Sequence, residues 1–305
     1  MKKFFLMILA GNLFAYAANA DMPEYQDDEE FQHCLKVLQD WDGCVVEETK
    51  RALNGVKQNY RNILGNPKLM SWNGNLQTNT EIMRDMYEGW TAYRNRLCSL
   101  SEAAAVYAEP LITEKYSCGL YHTLHHKAHL DKILQLMKYS GAEQNNEFDL
   151  FKVYNHDEEY TACREEEHKS KTECLSAEQD RTMAKVKDLY STLVRDKTVG
   201  RWNNGPNLQS GNYRDMYDSW VAYRNRLCSL ATWAYKQAKI QPKVELDECI
   251  LFLTQEHWDI LDSVLILANS SLDNGFEEYS DGGLAEGQTM TPLQRRIETE
   301  TTLEK

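Results

Sequence analysis

Beyond residue 20 the chain has no apolar run approaching the roughly 18 residues that a membrane-spanning helix needs. No C-x2-C knuckle occurs, which argues against a zinc ribbon or finger. The G-x-S-x-G elbow, the H-E-x-x-H zinc motif and the glycine-rich phosphate loop are all missing, so no enzyme signature is present and none is expected to emerge. Carboxylates are plentiful, yet nothing in their spacing sets two of them up as a glycosidase pair. No strand-like alternation joined by hairpin turns stands out, which leaves helices. There is also no basic patch, which speaks against a nucleic-acid partner.

What the chain does have begins at its first residues. Lys2 and Lys3, the apolar run Phe4 to Ala10 and the A-x-A site Ala18-Asn19-Ala20 read as a signal peptide over residues 1–20. The expected compartment is therefore periplasmic or secreted, with no membrane anchor. The formal net charge of −13 is unevenly spread. An acidic leader (21–30), an acidic linker (141–159) and a mobile acidic tail (271–305) hold all of the excess. The two segments between them, 31–140 and 160–270, are close to neutral. Tails of this kind keep a protein soluble, and they can also steer a cationic partner.

Those two segments are copies of one another. RDMYEGWTAYRNRLCSL at Arg84 to Leu100 returns as RDMYDSWVAYRNRLCSL at Arg214 to Leu230, with 14 of 17 residues identical at an offset of 130. A period this long marks a duplicated domain, not a solenoid repeat. Each copy carries four cysteines: Cys34, Cys44, Cys98 and Cys118, then Cys163, Cys174, Cys228 and Cys249. In an exported chain these read as disulfides. Each set permits three connectivities; the expectation adopted is neighbour pairing, Cys34–Cys44 with Cys98–Cys118 and the same in copy two. Each such loop is worth roughly 3 kcal/mol by the chain-entropy estimate.

Helical periodicity runs through Val45–Leu64, Ile82–Tyr107 and Leu120–Met137, and through Met183–Val194, Tyr213–Ala238 and Ile250–Ala268. Gly65-Asn66-Pro67 and Asn203-Asn204-Gly205-Pro206 interrupt it. The expected fold is all-α: two tandem small antiparallel helical bundles, each stapled by two disulfides. On the duplicated helix, Met83, Met86, Tyr87, Trp90, Tyr93 and Leu97 form one apolar stripe, with Arg84, Asp85, Glu88, Asn95 and Arg96 opposite. Arg94 falls inside that stripe, between Trp90 and Cys98, as Arg224 does between Trp220 and Cys228. A guanidinium there either ties helices together or contacts a ligand at an exposed end of the stripe.

The pattern W-x3-R-x3-C, followed about twenty residues later by C-x4-T, resembles the lysozyme-inhibitor domain family of the mycobacterial LprI type. The matching positions in copy one are Cys34, Cys44, Leu53, Tyr60, Trp90, Tyr93, Arg94, Cys98, Cys118, Thr123 and Leu130. Copy two matches at Cys163, Cys174, Tyr190, Trp220, Tyr223, Arg224, Cys228, Cys249, Thr254 and Leu261. The chain departs from the family pattern where an acidic residue becomes Asn54 and Ala184, a glutamine becomes Tyr87 and Tyr217, and a late arginine becomes His126 and His257. The resemblance implies a non-catalytic protein-binding module, without a cofactor, that blocks lysozyme or another cell-wall-active protein. A general envelope interaction or structural protein is the alternative, its two modules gaining avidity from their tether.

One further feature lies outside that pattern. His122, His125, His126 and His129 stand at i, i+3, i+4 and i+7 on one helix face, a spacing that can hold a divalent metal. In copy two the same positions are Leu253, Glu256, His257 and Ile260, which instead reads as a packed face. Metal binding by copy one is thus a third expectation.

Overall fold

The computed structural model describes residues 29–105, 112–139, 156–166, 168–204, 211–239 and 245–273. The expected signal peptide and nearly all of the expected leader, linker and tail lie outside these residues. Among the described residues the protein is all-α. Copy one comprises α1 (Glu29–Leu38), α2 (Trp41–Leu64), the short α3 (Met70–Asn73), α4 (Leu76–Ala105) and α5 (Ile112–Lys138). Copy two comprises α6 (Glu158–Glu165), α7 (Lys171–Arg195), α8 (Asn212–Ala238) and α9 (Leu246–Asp273). No helix of the described residues is long and apolar enough to cross a membrane.

Local chemistry sets the boundaries. Asp157 caps α6 by accepting from the Tyr160 N–H at 2.7 Å. Ser170 and Glu173 form a reciprocal capping box that starts α7. This start lies twelve residues before the apolar periodicity becomes evident at Met183, because a polar first half can be helical when its end is capped. The Gly65-Asn66-Pro67 break becomes a 3-10 turn, Pro67–Leu69, in which Asn66 accepts from the Lys68 N–H. A corresponding 3-10 turn, Gly200–Asn203, leads into the second break.

The disulfides join Cys34 to Cys44, Cys98 to Cys118, Cys163 to Cys174 and Cys228 to Cys249. The first and third pin the short helices α1 and α6 onto α2 and α7, each over a small apolar cluster of its own. The second and fourth tie each duplicated helix to the helix that follows it. Such bridges fit an oxidising, extracellular-type environment.

Each bundle has its staples, but the two do not have separate cores. One continuous apolar core runs from Val56, Met86, Trp90 and Leu97 of copy one to Val186, Trp220, Leu227 and Leu261 of copy two. The duplicated helices α4 and α8 pack directly on each other, and α5 also packs on α8. Trp90 and Trp220 are each 2% exposed, so the stripe that the periodicity marks is core. Burying one such large side chain contributes about 1.5–3 kcal/mol. The close approach is built on a small residue: a Cβ at Gly89 would sit 3.3 Å from the Ser219 carbonyl oxygen.

Candidate functional site

The residues of the family-like pattern converge where the two copies meet. Within copy one, the Arg94 guanidinium lies 4.8 Å from the centre of the Trp90 ring. It donates from Nη1 to Thr123 Oγ1 at 2.9 Å, and from Nε and Nη2 to Asn95 Oδ1. Thr123 in turn donates to the Gly119 carbonyl, so the arginine joins α4 to α5. Copy two repeats this: Arg224 lies 4.6 Å from the Trp220 ring, and its Nη1 donates to Thr254 Oγ1 at 2.9 Å. These partners are neutral, and burial lowers both guanidinium pKa values from the usual arginine range. Stacking on tryptophan and hydrogen bonding to threonine offset the lost hydration.

The late histidines take the other side of the argument. His126 stacks on Trp90 at 4.4 Å and His257 on Trp220 at 4.1 Å. His126 Nε2 meets the Tyr60 hydroxyl of its own copy at 3.1 Å, and Nδ1 meets the Tyr223 hydroxyl of the other copy at 3.0 Å. His257 does the reverse, meeting Tyr190 of its own copy at 3.0 Å and Tyr93 of the other at 2.9 Å. A neutral imidazole has one N–H and one lone pair, so two tyrosine hydroxyls satisfy it completely. Burial pushes both histidine pKa values well down and those of the four tyrosines well up. The network is therefore neutral near pH 7. An arginine at 126 or 257 would instead place a second fixed cation beside Arg94 or Arg224.

The contacts are reciprocal, as across the two-fold axis of a homodimer. Arg96 pairs with Asp215 and Arg226 with Asp85, each at 3.1 Å. Trp202 donates to Ser99 at 3.1 Å and Trp72 to Ser229 at 3.3 Å. Residues that correspond between copies face each other along the axis: Gly89 against Ser219, and Tyr93 stacked with Tyr223 at 6.5 Å. The last such pair is not alike. His125 meets its counterpart Glu256, Nε2 to Oε1, at 3.0 Å. Burial lowers the His125 pKa, but the Glu256 charge and hydrogen bond outweigh it and raise the value overall.

The histidine stripe thus divides. His126 has both nitrogens engaged, and His125 is held by Glu256. His129 lies edge-on to His125 with ring centres 4.4 Å apart. His122 is 7% exposed, and its Nε2 is buried without a hydrogen-bond partner. Burial, with help from the charges of His125 and Arg94, pushes its pKa down to about 3. The four rings do not gather around one point. Among the described residues, the only His, Cys, Asp or Glu trio with donor atoms within 4.8 Å of one another is Cys98, Cys118 and His122, whose sulfurs are joined as a disulfide. Tyr121 enters this region without having been singled out in the sequence, and Glu256 figured there only as the counterpart of His125 on a packed face. The chain matches no family model, no curated protein and no solved structure.

Proposed function

We propose that the chain is an exported, periplasmic or secreted binding protein without catalytic activity, whose target is lysozyme or another cell-wall-active protein. The target class rests on the W-x3-R-x3-C resemblance present in both copies. The observation that carries the mode of binding is the burial of both duplicated helices against each other. Their motif residues build a rigid body, and a partner is met by its outer surface. An open groove of about 340 Å³ lies there, lined by Ala92, Asn95, Arg96 and Ser99 of copy one and by Trp202 and Asn212 of copy two. Tryptophan and arginine at a concave rim are the residue types that protein interfaces favour.

A lysis assay tests the proposal. Lysozymes of several types are run on cell walls with the exported chain and with a version trimmed to residues 29–273. Both should inhibit equally, because a shaped helical surface does the binding. Inhibition that needs the acidic ends and fades at physiological salt would assign it to charge steering, since exposed charges are screened over about 8 Å at 0.15 M. No inhibition by either form, with any lysozyme, would remove the lysozyme reading and leave a general interaction module.

A further inference from the structure

The open groove beside Trp202 has a counterpart beside Trp72, because the junction of the two copies is nearly two-fold. At the offset of 130, Asn95, Arg96, Ser99 and Trp202 of the groove correspond to Asn225, Arg226, Ser229 and Trp72. The two sets are held alike. Trp202 donates to Ser99 at 3.1 Å and Trp72 to Ser229 at 3.3 Å, and each arginine pairs with an aspartate of the other copy at 3.1 Å. A symmetric junction by itself would thus offer two equal surfaces.

Two differences between the copies break this equality. One turn after Ser229 on α8 stands Trp233, where α4 has Ala103. Trp233 is 8% exposed; its ring centre lies 6.5 Å from that of Trp72, and its Nε1 donates to Ser71 Oγ at 3.3 Å. An indole therefore packs on the tryptophan that would wall the second groove. Ala103, one turn after Ser99, is half-buried and carries only a methyl group, too short to cover Trp202 in the same way. At the opposite wall, Asn212 donates to the Trp202 carbonyl at 2.6 Å, whereas its counterpart is the apolar Ile82.

We propose that the chain takes one partner molecule, at the groove beside Trp202, and that Trp233 closes the equivalent groove of the duplicated junction. This rests on the reading of the chain as a binding protein for a cell-wall-active protein, and the occupant is a projecting loop of that protein. The groove is open, whereas a small-molecule site encloses most of its ligand. An indole and a guanidinium at its rim, with asparagine and serine between them, suit the mixed surface of a protein loop. Filling a competing site makes a surface selective as effectively as improving the preferred one. The tandem copies therefore build one site between them and give no avidity from two equal modules.

The disulfide-intact chain starting at residue 21 is titrated calorimetrically with the lysozyme types of the lysis assay, and the complexes are weighed by sedimentation equilibrium. The expected stoichiometry is one lysozyme per chain. Ala103→Trp, which sets an indole against Trp202 as Trp233 sets one against Trp72, should weaken binding roughly tenfold or more. Trp233→Ala combined with Ile82→Asn opens the second groove and should raise the stoichiometry to two. Circular dichroism and melting curves check that the variants fold; if the double variant does not, the stoichiometry of the unaltered chain and Ala103→Trp decide. Two lysozymes on the unaltered chain overturn the inference. So does unchanged affinity in Ala103→Trp, or a folded double variant that still binds one. Absence of binding by every lysozyme removes the target reading, and the inference with it.

Discussion

Arg94 and Arg224 hold a charge inside an otherwise apolar stripe, and the tryptophan one turn earlier makes this tolerable. The guanidinium gains a ring face and a threonine hydroxyl, while its stem adds apolar contact. Arg94→Ala removes all three and leaves Thr123 and Asn95 without their donor, so copy one should lose about 2–4 kcal/mol of stability by chemical denaturation. An unchanged melting curve with loss of partner binding would make Arg94 a contact residue instead. The same scale accounts for the two buried histidines. His126 and His257 each face a tyrosine of the other copy, where a compact neutral ring is satisfied and a second guanidinium would not be.

At the scale of the element, the duplicated helix has two jobs on one stripe. Met83, Trp90 and Leu97 fill the shared core, while Asp85 and Arg96, on the face opposite the stripe, rim the junction as reciprocal ion pairs. Exposed pairs of this kind contribute little, about 0.2–1 kcal/mol, so register rests on packing. Gly89 is where that packing is tightest. Gly89→Val should push α4 from α8 and cost about 1–3 kcal/mol through overpacking, read as a lower denaturation midpoint. No loss would mean that the helices separate freely at this point. The capped start of α7 shows what periodicity misses: its first half is polar, and the helix there rests on Ser170, Glu173 and a disulfide to α6.

For the whole molecule, one core implies one transition. Calorimetry at pH 7 should show a single unfolding step for both copies, since neither can expose its face of the shared core alone. Two resolved steps would show that the copies fold independently. Acid should weaken this structure. His122, His126, His129 and His257 have folded pKa values held below the ordinary 6.5 by burial, so the unfolded chain takes up protons first as pH falls. Their contribution is complete above about pH 6.5 and is lost progressively below it, down to about pH 3 for His122. His125 runs the other way, its raised pKa adding stability at low pH that is lost as pH rises through the folded value. Four groups oppose one, so melts at pH 7, 5.5 and 4.5 should show falling midpoints. A flat profile would contradict neutral burial of the cluster.

The duplication, the apolar stripe, the four-cysteine frame and the all-helical class are written in the chain, because periodicity and spacing are local properties of sequence. Neighbour pairing of the cysteines is consistent with that frame, although spacing alone allowed two other connectivities per copy. What the buried stripe faces is not local. A stripe on one helix specifies that something must cover it, and either the same bundle or the sibling could do so. Only the tertiary structure decided that α4 covers α8 and that corresponding residues meet along an axis. It also set His125 against Glu256 and left His122 without a partner, two residues that copy comparison alone had placed on a merely packed face. The reason is physical: hydrogen-bond complementarity between copies depends on distance and direction across an interface, and neither is encoded in spacing along one strand of chain.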